Sequence, residues 1–407
     1  MSTGKALIIG GSVAGLFAGN LLHRAGWDVQ IHERVPEPLA SRGAGIATHD
    51  ELMSVLQRAG VDSRETVGVS VQSRVVFGRD GGVAGEYHYP QILTSWGRIY
   101  ELLLAQFPAQ RYQQGRNLIA IEQTGEGVTA CFEQGEPVHA DLLIGADGLR
   151  STVRGALLPE VRPQYAGYVA WRGVADERSL SAATHADLFG RFGFCLPEGE
   201  QLVGYPIAGE SNSTQAGKRR YNIVWYRPAD ETNDLRAMLT DAQGKVHEGG
   251  IPPPLIRAEV VNQVRADGHR LLAPQFAEVL ERTAQPFFQP IFDLASTRLV
   301  FGRVVLIGDA AFVARPHVGM GVTKAGSDAA ALVDALAGAS APYDEALARF
   351  EAARMHVGAA MIARARHLGA YMQAQIKTPQ EREMAARYRT PDAVMRETAV
   401  RFVIPVA

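Results

Sequence analysis

The sequence has only two cysteines, Cys131 and Cys195, in 407 residues. They are far apart, form no CxxC pair and build no disulfide framework, so both read as small buried hydrophobes. An excess of charge of one sign is lacking too. The formal net charge is -2, without a long block of either sign, and the basic surface of a nucleic-acid binder is not evident. No apolar run reaches the roughly 18–20 residues that span a bilayer, so no membrane partner is expected. The first residues run straight into an apolar strand. They lack the basic–apolar–small layout of a secretory signal, and a cytoplasmic protein is the expectation. The 11 histidines show no HExxH-type spacing, so no metal is expected. A GxSxG nucleophile elbow, internal repeats and low-complexity stretches are absent as well.

What remains is an ordinary globular composition, 46% apolar and 21% charged, in a chain long enough for two domains or one domain with a large insertion. Residues 6–10 form a short apolar run ending in glycine. Residues 13–25 have helical periodicity and stop at Gly26, and residues 29–33 read as a second strand. This is a βαβ opening, which implies a parallel sheet. The middle is different. Residues 71–77, 128–132, 168–174, 201–205 and 220–226 read as strands, several rich in β-branched and aromatic residues and separated by polar turns. The α/β grammar returns at residues 304–309, and from Ala325 the chain is Ala- and Leu-rich with helical spacing. The predicted fold is therefore α/β: a Rossmann-type nucleotide domain, an inserted and mostly antiparallel β-sheet domain, and a helical C-terminal region.

Gly10-Gly11-Ser12-Val13-Ala14-Gly15 lies between the first strand and the first helix. It is the GxGxxG dinucleotide fingerprint with Ser12 at the second glycine. Gly10 permits the tight turn, and Gly15 lets the helix pack closely on the sheet. Backbone N–H groups around Ser12, Val13 and Ala14 would face a pyrophosphate. Glu33 ends the second strand, 18 residues after Gly15, where an acidic residue should take ribose hydroxyls.

Two further strings follow. Residues 141–154 read Asp-Leu-Leu-Ile-Gly-Ala-Asp-Gly-Leu-Arg-Ser-Thr-Val-Arg, and residues 304–321 contain Gly-Asp-Ala-Ala-Phe-Val-Ala-Arg-Pro-His-Val-Gly-Met-Gly. With the N-terminal glycines, these resemble the single-component FAD-dependent aromatic hydroxylases, the para-hydroxybenzoate hydroxylase family, over most of residues 5–335. The resemblance implies non-covalent FAD and NADH or NADPH as a transient co-substrate. It also implies a flavin C4a-hydroperoxide, formed with O2, that hydroxylates a small electron-rich aromatic ring. By position, Asp147 and Gly148 would serve the flavin and the nicotinamide route, and Asp309 a ribityl hydroxyl. Pro316, Gly319 and Gly321 would lie beside the isoalloxazine ring, and Arg98 would reach the FAD from a long helix. Arg34 and Leu118 complete the cofactor-binding candidates. Residues 10–12, 165–173, 205–207 and 315–317 resemble in particular the members that act on dihydroxylated pyridines; phenols and hydroxybenzoates are the alternative substrates. Phe312 stands where many members have a histidine, so a role for that histidine does not transfer.

The implied partition gives residues 1–75, 98–165 and 291–340 to the FAD-binding domain. It gives 76–97 and 166–290 to the substrate domain, and 341–407 to the helical region. The catalytic candidates are Tyr205 and His317. Tyr205 either hydrogen-bonds a ring hydroxyl or is a half-buried strand tyrosine. His317 either acts as base or proton relay, its ordinary pKa being near neutral, or caps loop backbone. Arg172 and Arg315 either attract an anionic substrate or form ion pairs, and Trp171 is more often core than substrate wall. Halogenase chemistry would call for a WxWxIP string, whereas the four tryptophans are isolated. Disulfide reduction would call for CxxC. A non-catalytic FAD-binding sensor is the remaining alternative, and the sequence leaves the oligomeric state open, a homodimer included.

Overall fold

The computed structural model describes residues 4–39, 45–339 and 343–401. Its first sheet is built on Lys5–Ile9. From Ala6 to Ile9 this strand is buried on both faces, as the centre of a parallel sheet requires. Leu142–Gly145 and Asp28–His32 flank it in parallel. Val304–Leu306 and Tyr112–Gln113 extend the sheet in parallel on either side, and Val300–Phe301 closes one edge antiparallel. The helix Val13–Arg24 follows the first strand and packs against the later helix Gly321–Leu336. Two segments about 300 residues apart in sequence thus meet in one layer. A three-stranded sheet, Leu118–Gln123, Val128–Phe132 and Val138–Ala140, is joined to it.

The second large sheet has nine strands. In spatial order they are Phe312–Val313, Phe287–Ala295, Gln164–Asp176, Arg220–Pro228, Gln201–Ile207, Arg191–Cys195, Val69–Phe77, Val83–Ser95 and Gly45–Ala47. All neighbours pair antiparallel except Arg191–Cys195 with Val69–Phe77. The sheet therefore begins before residue 76, the expected boundary, and runs past residue 290. Alternation marks the strands of this sheet, but it does not say which sheet a strand joins.

Side-chain alternation also divides the sheet into two faces. Trp171, Trp225, Leu202 and Phe288 pack on one face with Phe276 and Leu280 of the helix Pro274–Arg282. Trp171 thus belongs to that helix-covered core. Tyr168, Ala170, Val203, Tyr205, Val224 and Tyr226 lie on the other face. The helical C-terminal region folds over the same molecule. The long helix Asp344–Gly369 packs on Gly321–Leu336, and Pro391–Glu397 packs on the strands Val69–Phe77 and Val83–Ser95. Among the described residues no helix is long and apolar enough to cross a membrane.

Candidate active site

A cavity of about 650 Å³ lies where the carboxyl ends of the parallel strands face the Tyr205 side of the large sheet. This is where an open α/β sheet presents its ligand crevice. Gly10, Ser12, Val13, Ala14, Glu33, Arg34, Leu118, Asp147, Gly148, Asp309, Pro316, Gly319 and Gly321 all border it, together with Tyr205 and His317.

The fingerprint works through close approach. Gly10 has φ 104°, and a Cβ there would meet the Ala146 carbonyl at 2.5 Å. A Cβ on Gly15 would lie 1.9 Å from the Gly10 oxygen, so the helix sits as near the turn as glycine allows. Gly11 and Gly15 do not border the cavity; they set its shape. The Gly11 N–H donates to the Glu33 carboxylate at 2.8 Å, and the Gly11 carbonyl accepts from the Tyr112 hydroxyl at 2.8 Å. Glu33 also accepts from the Val35 N–H at 2.9 Å. A carboxylate has about four acceptor sites, so Glu33 retains capacity for ribose hydroxyls. Ser12 occupies the helix N-cap without capping it by its side chain. The first-turn N–H groups of Val13–Arg24 are left for an anion. The helix Gly321–Leu336 likewise begins at the cavity, without a side-chain cap, after Gly319 at φ 66°. Two uncapped helix starts facing one cavity fit a dinucleotide with an electron-accepting ring.

Asp309 sits among crowding protein atoms but presents an exposed surface to the cavity. Burial pushes its carboxyl above the usual range, Lys324 opposes this, and Asp328 adds to it. The turn that presents Asp309 is fastened from below. Lys324 Nζ donates to the Gly308 carbonyl at 2.7 Å and to Asp328 at 3.1 Å, and Asp328 accepts from the Gly308 N–H at 2.9 Å. Arg354 completes the network at 2.6 Å from Asp328. Burial opposes the Asp328 charge, but Lys324 and Arg354 hold its carboxyl below the usual range. Sequence reasoning missed this support; its only signal was the Lys324–Asp328 spacing of four on a helix.

The Asp147 carboxylate is occupied in the protein itself. It accepts from the Ser151 hydroxyl and from the N–H groups of Thr152 and Val153, at the start of the helix Thr152–Leu157. It thereby fixes the turn at Gly148, φ 78°. Arg98 does not border the cavity. Its guanidinium donates to the Thr66 carbonyl at 3.0 Å and to Glu65 at 2.8 Å, and these partners hold it outside the cavity lining. An arginine in the first turn of a helix can swing to either side, and here a carboxylate and a carbonyl take it.

At the other end of the cavity Tyr205 stacks on Phe192, with ring centroids 5.0 Å apart. Gly45 passes close over the Tyr205 ring. Burial pushes the Tyr205 phenol above its ordinary value, with Arg172 opposing, so the hydroxyl remains a donor at neutral pH. His317 is 1% exposed. Its Nε2 lies 2.8 Å from the Tyr168 hydroxyl, and its Nδ1 is buried without a hydrogen-bond partner among the described residues. Burial pushes its imidazole down to about 3, with Arg315 adding to the effect. The near-neutral titration expected of His317 is therefore absent. Arg315 makes a two-pronged pair with Asp293 and a bond of 2.8 Å to Gln373, so it is engaged. Arg172 donates to the neutral Gln289 at 2.6 Å and, among the described residues, has no carboxylate partner. Thr398 and Ala399, in a tail that gave no chemical signal in sequence, also border the cavity.

A nucleotide cradle that opens onto an aromatic pocket defines a flavoprotein acting on a small ring. The family model described as FAD binding domain-like matches residues 165–293. The chain is 34% identical to 2,6-dihydroxypyridine 3-monooxygenase of Paenarthrobacter nicotinovorans, over 82% of this chain and 83% of that protein. It is 30% identical to the aurachin C monooxygenase/isomerase of Stigmatella aurantiaca, over 87% and 86% of the two chains. The solved structure of 2,6-dihydroxypyridine-3-hydroxylase from Arthrobacter nicotinovorans superposes with a TM-score of 0.85 at 30% identity, covering 93% of this chain and 96% of that one. The chain belongs to the FAD-dependent aromatic monooxygenases. Its cofactor is FAD, and its reaction is the hydroxylation of an aromatic ring with O2 and reduced nicotinamide.

Proposed function

We propose that the ring is a hydroxylated pyridine, with a dihydroxypyridine as the first choice. The observation that carries this is the engagement of Arg315 by Asp293. A ring carboxylate is best recognised by paired arginines; here Arg315 is taken by Asp293, and Arg172 is left as a lone guanidinium already bonded to Gln289. What faces the substrate end is suited to hydroxyl or ring-nitrogen groups: the Tyr205 hydroxyl, His317, Gln289 and the single guanidinium of Arg172. The likeness to a relative named for 2,6-dihydroxypyridine supports the same reading.

FAD supplies the redox chemistry when bound, passing electrons from reduced nicotinamide to O2 and one oxygen atom to the ring. The chain supplies the rest. The backbone N–H groups of Ser12, Val13 and Ala14, at the start of the helix that Gly10 and Gly15 bring close, would hold the pyrophosphate. Glu33 takes the adenosine ribose, flanked by Arg34 and Leu118. Asp309 takes a ribityl hydroxyl. Pro316, Gly319 and Gly321 line the ring, where the helix start favours negative charge. Asp147 acts by fixing the turn at Gly148. Tyr205 donates to a ring oxygen and steadies its ionised form, which makes the ring a better electron donor. Neutral His317, anchored by Tyr168, shapes the cavity wall at the substrate end. Phe192, Phe287 and Tyr226 exclude water. A cytoplasmic setting suits a reaction that draws on reduced nicotinamide, and cell fractionation checks it.

The test is product formation. Purified enzyme with FAD, NADH and O2 is offered 2,6-dihydroxypyridine, hydroxybenzoates and simple phenols, with products resolved by mass. Coupled NADH use and a product one oxygen heavier are expected with the dihydroxypyridine. Coupled turnover of a carboxylated benzene ring alone would refute the pyridine assignment and leave the monooxygenase standing.

A further inference from the structure

Arg74 is fully buried, and no carboxylate meets it among the described residues. Its Nη1 donates to the carbonyls of Met395 at 2.9 Å and Thr398 at 2.6 Å; its Nη2 donates to the Ala399 carbonyl at 2.9 Å and to Gln91 at 2.7 Å. Three of its four acceptors are thus backbone oxygens of the C-terminal tail. A buried cation without an anion is costly unless its donors are satisfied, so the solvation of Arg74 depends on the tail being in place. The guanidinium also lies over the rings of Tyr89 at 4.5 Å and Phe192 at 4.9 Å. Phe192 is the ring that backs Tyr205.

The tail reaches the flavin side by the same residues. The Ala399 N–H donates to the His317 carbonyl at 2.8 Å, and Gln91 donates to the Ala399 carbonyl at 3.2 Å. Ala399 holds φ 51°, a left-handed conformation uncommon for alanine. A Cβ on Gly319 would come within 2.6 Å of the Ala399 Cα. Glycine at 319 therefore allows the tail to lie directly on the loop that carries Pro316 and His317.

We propose that Arg74 is a positioning residue that latches Thr398 and Ala399 into place as a strip of the cavity wall. The strip seals the flavin loop from bulk water, and the same guanidinium steadies the Phe192–Tyr205 pair. This rests on the cavity being the flavin site and not on the identity of the aromatic substrate.

The experiment compares the intact holoenzyme with chains ending at Glu397 and at Arg401, and with Arg74→Met, Arg74→Lys and Ala399→Pro. Iodide quenching of flavin fluorescence reports shielding, dilution reports FAD dissociation, and H2O2 formed per NADH without substrate reports water access. The chain ending at Glu397 and Arg74→Met should release FAD roughly tenfold faster, the factor that accompanies loss of a hydrogen bond to a charged group. Both should also be quenched more strongly and yield more H2O2. The chain ending at Arg401 should match the intact enzyme, and Arg74→Lys should recover part of the shielding. Should Arg74→Met fail to fold, Ala399→Pro decides, because proline cannot adopt the positive φ and lacks the N–H given to His317. Unchanged shielding in Ala399→Pro, or an equal defect from ending the chain at Arg401, overturns the latch. Quenching and dissociation need no aromatic substrate, so the latch and the pyridine assignment fail separately.

Discussion

The Tyr168 hydroxyl and His317 Nε2 lie 2.8 Å apart, on rings that are both buried beside the cavity. This bond fixes the imidazole in place as part of the cavity wall. It is made by the strand Gln164–Asp176 to the loop Pro316–Val318, and so ties the substrate sheet to the flavin side. Tyr168→Phe removes one partner of a buried pair, which costs about 1–3 kcal/mol. A lower kcat at little-changed FAD affinity is the expected result. Steady-state kinetics beside FAD titration check it, and an unaltered kcat would argue against a positioning role for His317.

The same histidine predicts a pH dependence of stability. Its folded pKa is lowered to about 3 from an ordinary 6.5. Between those values the unfolded chain binds a proton that the folded chain does not. The contribution is full above pH 6.5 and is lost as pH falls toward 3, at about 1.4 kcal/mol per pH unit. Urea unfolding at pH 7, 6 and 5 should show a steeper loss for the natural chain than for His317→Gln. Parallel slopes would contradict the burial argument.

Asp293 accepts from both Arg315 and Arg366. Asp293→Asn leaves the Arg315 charge buried and unmatched, a change that costs about 3–5 kcal/mol. A clear fall in Tm is expected by calorimetry, with FAD kept saturating in both proteins.

Glu33→Ala and Asp309→Ala should each weaken FAD binding by about 1–3 kcal/mol. Glu33 should show the larger loss, because its carboxylate also holds the Gly11 and Val35 N–H groups that shape the fingerprint turn. Fluorescence titration of apoenzyme with FAD measures both. Unchanged affinity in the pair would remove these residues from the cofactor site.

What the sequence made legible was local or periodic. Gly10 and Gly15 could be read because the turn between a strand and a helix depends on neighbouring atoms alone. The two faces of the large sheet could be read in part, since Trp171 and Arg172 must point to opposite sides once the strand exists. The remainder depends on contacts between distant segments. Arg98 lies on the helix expected to serve the cofactor, yet Glu65 claims its guanidinium. His317 has an ordinary pKa in isolation and loses it through burial under Tyr226 and Tyr168, with Arg315 adding to the effect. Thr398 and Ala399 have side chains without distinctive chemistry, and they matter through backbone carbonyls that any residue would offer.

Arg172 carries the last prediction. Its side chain is half-buried at the cavity, bonded to Gln289, while the other candidate guanidinium, Arg315, is held by Asp293. A cation at this place lowers the cost of ionising a ring hydroxyl and attracts a substrate that is already anionic. Arg172→Met should therefore raise KM for an ionised hydroxypyridine by about tenfold, equivalent to about 1.4 kcal/mol. Its effect on a neutral phenol should be much smaller. The natural enzyme should lose affinity for the ionised ring as salt rises, and the variant should be nearly insensitive, because screening acts on the charge that has been removed. Equal KM changes for charged and neutral rings would show that Arg172 acts through packing against Phe287 and Gln289 and not through its charge.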